Sequence, residues 1–145
     1  MLKNIISNKL VSCEPGTNLL EVSKLMAREN VGCVLVLQDN KPKGLVTDRD
    51  IVIQCVADGH VSENCMVDDV MSTDLQTVMD TDGIFDCIQA MKTSEVRRLP
   101  VVDSDGNAVG IVSFGDLLSM LSRELSELTS TTTPSDIEIE ERRAA

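Results

Sequence analysis

Tryptophan and tyrosine are absent from this 145-residue chain, and two phenylalanines are its only aromatic residues. Exposed bases would find no stacking platform, and a formal charge of −11 repels a phosphate backbone, so nucleic acid is a poor partner. His60 is the single histidine, and no carboxylate–histidine or paired-cysteine spacing accompanies it, so no metal site is expected. There is no run of about 18 apolar residues for a membrane span. The opening MLKNIISNKL has neither the apolar core nor the cleavage site of a secretory signal, which leads us to expect a cytoplasmic chain. A Ser–His or Cys–His constellation and a glycine-rich phosphate loop are also missing, so no enzyme is expected. Five cysteines, Cys13, Cys33, Cys55, Cys65 and Cys87, form no C-x-x-C pair, which argues against a disulfide framework. They read either as inert small hydrophobes or, for Cys55 and Cys65 near a predicted helix end and connector, as redox sensors.

What is present is a duplication. Displaced by 65 residues, LKNIIS (2–7) falls on VDDVMS (67–72), Met26 on Met91 and Val31 on Val96. The offset becomes 66 beyond a turn where QDNKPKG (38–44) is one residue shorter than DSDGNAVG (103–110), a change a surface hairpin absorbs. Two copies at so long a period are a duplicated domain rather than a solenoid. The units are 2–60 and 67–125, followed by 126–145, hydroxyl-rich and acidic without core periodicity, expected to be a mobile tail.

Each copy reads as a short extended lead-in, a helix, a strand, a turn, a strand and a second helix. Leu19, Val22, Leu25 and Met26 share one face over 17–29, as do Ile84, Cys87, Ile88 and Met91 over 82–92, and both faces are assigned to the core. VGCVLVL (31–37) and RLPVV (98–102) are continuous β-branched runs, as strands buried on both sides should be. GLVT (44–47) and GIVS (110–113) return from the turns, and second helices start at Thr47 and Ser113, carrying 51–57 and 117–125. About 60 residues is marginal for independent stability, so the copies should pack together.

The sharpest repeated element is GLVTDRD (44–50) and GIVSFGD (110–116): glycine, two aliphatics, a hydroxyl, then aspartate three residues later. At a strand-to-helix junction this is a capping box, in which Thr47 and Ser113 satisfy first-turn amides and Asp50 and Asp116 sit at the positive helix end. A carboxylate placed there can also accept hydrogen bonds from ribose hydroxyls. Arg97 and Arg98 are either phosphate-holding or solvated charges beside a strand. The first copy places Gly32 and Cys33 at the equivalent positions, so two clefts built from these copies should be unequal. Arg49, inside the first element, is a further cation whose partner could as well be Asp48 or Asp50.

The repeated G-h-h-[ST]-x-x-D element, the paired motifs IIS and VMS, and VRRLPVVD (96–103) together resemble the cystathionine-β-synthase (CBS) domain family over about residues 2–125. The resemblance implies an α+β fold of two pseudo-two-fold-related repeats, each a small sheet packed with helices. It also implies a non-catalytic regulatory module that binds an adenosine compound such as AMP, ADP, ATP, S-adenosylmethionine or an NAD-type molecule, with no required cofactor. Ribose contacts would come from Thr47, Asp50, Ser113 and Asp116. Adenine contacts would come from Ser12, Thr77, Val34 and Val96, and phosphate contacts from Arg97, Arg98 and Arg49. A homodimer is implied, as is a separate effector protein; a ligand-free dimerisation or docking module is the alternative.

Overall fold

Three consecutive aliphatic residues, Val34, Leu35 and Val36, have no exposed surface, the burial expected of a strand covered on both faces. In the computed structural model, which describes residues 2, 6, 10–60 and 64–131, they form the middle of β2 (Cys33–Gln38). This strand lies between β1 (Ser12–Cys13), parallel to it, and the antiparallel β3 (Lys41–Thr47). The second repeat builds the same sheet from β4 (Val78–Met79), β5 (Arg98–Val102) and β6 (Ala108–Ser113). Parallel neighbours require a crossover, supplied by α1 (Leu19–Glu29) in the first repeat and α4 (Ile84–Thr93) in the second. The architecture is α+β, with two three-stranded mixed sheets packed against helices.

Leu19, Val22 and Met26 of α1 and Cys87 and Met91 of α4 are buried as the periodicity predicts, whereas Ile88 keeps 37% of its surface exposed. The cap of α1 is Asn18, whose side chain accepts from Glu21 N at 2.9 Å; the Thr17 hydroxyl donates to Glu14 O instead. Hairpin geometry accounts for the shift in repeat offset. The first turn has positive φ at Asp39 and Asn40, the two-residue form that suits strand twist. In the longer second loop, Asp103 Oδ1 accepts from both Asp105 N and Asn107 N at 2.9 Å. Asn107, through backbone and side chain, is the main reason the Asp103 carboxyl is held below its ordinary range.

Both second helices depart from expectation. After α2 (Asp48–Ile51) the chain widens into a π-helical turn, Val52–Val56, in which Ala57 N donates to Val52 O at 2.9 Å. The last helix, α5, spans Phe114–Thr131, so residues 126–131, assigned to a mobile tail from composition, are helical. Leu125 and Leu128 continue the spacing of Leu118 and Leu121, and the hydroxyls of Thr129 and Ser130 bond back to Ser126 O and Glu127 O rather than competing for the helix amides. Residues 132–145 of that expected tail lie outside the described residues. Among the described residues no helix is long and apolar enough to cross a membrane.

The repeats exchange their lead-in segments. Val67 and Val70 of α3 (Val67–Val70), which open the second repeat in sequence, are buried in the first core with Leu19, Val22 and Val46. Reciprocally, Leu2 is buried in the second core with Cys87, Leu99 and Val112, and Ile6 packs against it. The anchoring bonds are equivalent: Val67 N donates to Thr17 O at 2.8 Å, and Leu2 N to Asp82 O at 3.1 Å. The sequence units 2–60 and 67–125 are therefore not the units of packing. Ile5 and Ser7 of the first lead-in motif lie outside the described residues.

This exchange explains the glycine that opens the repeated motif. Segment 65–72 crosses β3 so closely that a Cβ on Gly44 would lie 2.8 Å from Met71 Cγ and 3.1 Å from Met71 Cβ. Gly44→Val should lower the unfolding free energy by about 1–3 kcal/mol through overpacking, measured by urea titration with circular dichroism. A variant as stable as the parent would show that the crossing segment yields freely.

Candidate functional site

The first repeated element folds as the capping box its spacing suggests. Thr47 Oγ1 accepts from Asp50 N at 3.2 Å, while Asp50 Oδ2 accepts from Thr47 N at 2.8 Å and from the Thr47 hydroxyl at 2.6 Å. Ser113 and Asp116 repeat this at 3.1, 2.8 and 2.6 Å. In both copies the cap uses only Oδ2. The Oδ1 of each aspartate has no protein donor among the described residues, so it can accept a ligand hydroxyl without dissolving the cap.

Thr47 and Asp50 face a cleft of about 240 Å³ between the repeats. One wall is Ser72, Asp74, Leu75 and Gln76; the other is the approach to β5, with Val96, Arg97 and Arg98. Ser72 is fastened to β3 by reciprocal backbone bonds with Leu45 at 2.9 and 3.0 Å, so the exchanged segment forms this wall as it leaves the first core. A carboxylate oxygen, a hydroxyl and two guanidinium-bearing residues thus converge from two repeats on a partly apolar crevice.

A second hollow, of about 320 Å³, is lined by Ser113, Phe114 and Gly115 and again by Arg97 and Arg98. Arg97 Cζ stands 5.8 Å from the centroid of the Phe114 ring, within cation–π range. Arg98 Nη2 would lie 3.8 Å from a Cβ on Gly32, so its guanidinium reaches across to the first repeat. Beside it, burial pushes the Cys33 thiol up, Arg98 pulls it down, and Asp48 and Asp116 push it up. Among the described residues the cations lining both hollows are the same two, Arg97 and Arg98 of the second repeat. The wall equivalent to Ser72 and Asp74 would include residues 7–9, outside the described residues.

Five of the sequence-predicted residues, Thr47, Asp50, Val96, Arg97 and Arg98, meet in the first cleft, and Ser113 lies in the second hollow. Others do not join them. Val34 has no exposed surface and belongs to the first core, so its side chain cannot touch an adenine. Ser12 pairs with Leu35 in the sheet and lines a separate surface hollow with Thr17 and Arg28. Thr77 follows the cleft wall without lining it, its carbonyl accepting from Gln76 Nε2 at 3.4 Å. Arg49 is exposed and outside both linings. The sequence reading missed Ser72, Asp74, Leu75 and Gln76; the polar stretch directly after VMS was the available signal. Among the described residues no group of three His, Cys, Asp or Glu could hold a metal ion.

Comparison with known proteins agrees with the duplicated fold. The family model for the CBS domain matches residues 2–56 and 67–123. The CBS domain-containing protein YhcV of Bacillus subtilis is 35% identical over 124 residues, which cover 85% of this chain and 87% of that protein. An uncharacterized conserved protein from Pyrococcus horikoshii has a similar structure, with a TM-score of 0.73 and 25% identity over 82% of this chain and 89% of that one. The CBS domain pair of protein MJ0100, solved in complex with 5′-methylthioadenosine and S-adenosyl-L-methionine, gives a TM-score of 0.74 at 20% identity. That match covers 86% of this chain and 97% of that one.

The caps themselves can be tested. Thr47→Ala and Ser113→Ala should each cost about 1 kcal/mol of stability in urea unfolding, and their sum should match the double variant within about 0.5 kcal/mol because the caps are separate. Neutral effects would mean that the two boxes contribute nothing to folding.

Proposed function

Because this chain belongs to the CBS domain family, we propose that it is a non-catalytic sensor module that binds an adenosine-containing ligand between its repeats and signals the binding to a partner protein. The observation that carries this reading is the first cleft, which Asp50, with its Oδ1 unused by the cap, lines together with Arg97 and Arg98 from the other repeat. Asp50 accepts the ribose hydroxyls with Thr47 beside it; Asp116, which does not itself line the second hollow but is bonded to Ser113, which does, is assigned the same role there. Val96 packs against the base, and Arg97 and Arg98 hold a phosphate by charge-assisted hydrogen bonds. The arginine pair favours a phosphate-bearing ligand such as AMP, ADP, ATP or an NAD-type molecule. The adenosyl ligands of the MJ0100 pair, a protein of the same fold, fit the class and include no phosphate.

A homodimer suits the helix surfaces. Val52, Ile53 and Val56 of the π-helical turn, Phe85 of α4, and Leu118 and Leu121 of α5 are all exposed, apolar side chains that a second copy could cover. The same surface favours the second reading, a ligand-free dimerisation or docking module. The two are compatible, since a ligand with different affinities for two arrangements of the repeats shifts their populations.

Without tryptophan or tyrosine the protein barely absorbs at 280 nm, so a co-purified adenine nucleotide would dominate its ultraviolet spectrum. Mass spectrometry of the filtrate after denaturation should release an adenosine compound, and calorimetry should show AMP bound to the stripped protein. Asp50→Ala with Asp116→Ala should weaken AMP at least about tenfold. Arg97→Gln with Arg98→Gln should weaken AMP while sparing adenosine. A folded double-aspartate variant that binds like the parent would remove the ribose assignment. An empty filtrate with no thermal stabilisation by millimolar AMP, ATP, NAD or S-adenosylmethionine would favour the docking module.

A further inference from the structure

Two of the five thiols meet. Cys55 Sγ and Cys65 Sγ share a thiol–thiol hydrogen bond at 3.1 Å, across ten residues of chain, and no disulfide joins them. Their backbones are held independently: Cys55 O accepts from His60 N at 3.0 Å, and Cys65 O accepts from Leu19 N at 2.9 Å. Cys55 has no exposed surface, while Cys65 is only half-buried. The sulfurs are thus fixed side by side, with one of them reachable from solvent. Closing a bond of about 2.05 Å requires them to approach by only about 1 Å.

We propose that Cys55 and Cys65 are a disulfide-forming pair, closed by exchange with a small disulfide such as oxidised glutathione, which clamps the exchanged segment onto the first core. The Cys65 thiolate attacks the small disulfide, forms a mixed disulfide and releases one glutathione thiolate. Cys55 then loses its proton to solvent and attacks the Cys65 sulfur, and the second glutathione thiolate departs. Two protein thiols are oxidised, the small disulfide is reduced to two thiols, and the two protons lost by the protein balance them.

The position gives the bond its consequence. Cys55 lies in the turn that continues the Asp50 helix, and Cys65 begins the segment that becomes the cleft wall at Ser72. The bond ties these two sides together, independently of what the cleft binds. Its formation is slow at neutral pH. The hydrogen bond with Cys55, followed by burial, pushes the Cys65 thiol up to about 11, so its nucleophilic thiolate is scarce. The clamp responds to sustained oxidising conditions rather than to a brief pulse.

The test is peptide mapping of the full chain after incubation with excess oxidised glutathione and alkylation of the remaining thiols. The expected product is an intramolecular link between Cys55 and Cys65. The rate should climb about tenfold per pH unit between pH 7 and 9, and the thermal midpoint should rise about 5 °C, both reversed by dithiothreitol. Cys55→Ser should trap glutathione on Cys65, and Cys65→Ser should abolish the link. A parent chain that keeps Cys55 and Cys65 as free thiols, or that cross-links them to other cysteines or other chains, overturns the proposal without recourse to any variant.

Discussion

Everything in this molecule depends on each repeat closing the core of the other. Val67 and Val70 fill space beneath the first sheet, and Leu2 fills the matching space beneath the second. Burying such side chains contributes roughly 1.5–3 kcal/mol each, and a unit of about 60 residues has little stability to spare. The exchange therefore couples the two halves by apolar burial rather than by contact across a finished surface. It also sets the cleft, because the chain leaving the first core at Met71 pairs with Leu45 and continues as the wall facing Arg97 and Arg98. Core packing and site geometry are properties of the same few residues.

The capping boxes show how one carboxylate serves both structure and chemistry. Each aspartate commits Oδ2 to the residue that starts its helix and leaves Oδ1 without a protein donor among the described residues. A group fixed in this way has already lost its rotamer freedom on folding, so binding a ligand costs little further ordering. The two copies match closely in backbone and cap yet differ in charge, since Gly32 and Cys33 occupy the places of Arg97 and Arg98. Duplication preserved the frame while the cations became one-sided.

Local chemistry was the legible part of the sequence. The helix–hairpin–helix order, the buried strands and the Thr47 and Ser113 caps rest on patterns spanning only a few residues, and the duplication on their recurrence about 65 residues later; the structure bears these out. Asp50 and the arginines are each singled out by sequence, but their meeting in one cleft depends on how the two repeats pack. What was missed depends on long-range placement. Val34 looked available because its run is apolar, and nothing local reveals that it points into the core rather than the crevice. Thr77 lies one residue beyond Gln76, the last lead-in residue to line the cleft before β4 begins, and Ser12 lines a separate hollow. The helical continuation to Thr131 was hidden by hydroxyl-rich composition, which usually signals disorder, although the leucines kept their spacing.

The exchange also has a meaning in time. A ribosome releases the first repeat well before the second, and the chain up to residue 60 contains every strand of the first sheet but not Val67 or Val70. That sheet must wait with one face uncovered until the connector and α3 emerge. Leu2, although made well before them, has nowhere to settle until β5 and β6 exist. Leu2 precedes in the chain the strands it packs against, so in a growing chain its side chain lacks its partners until the second hairpin has formed.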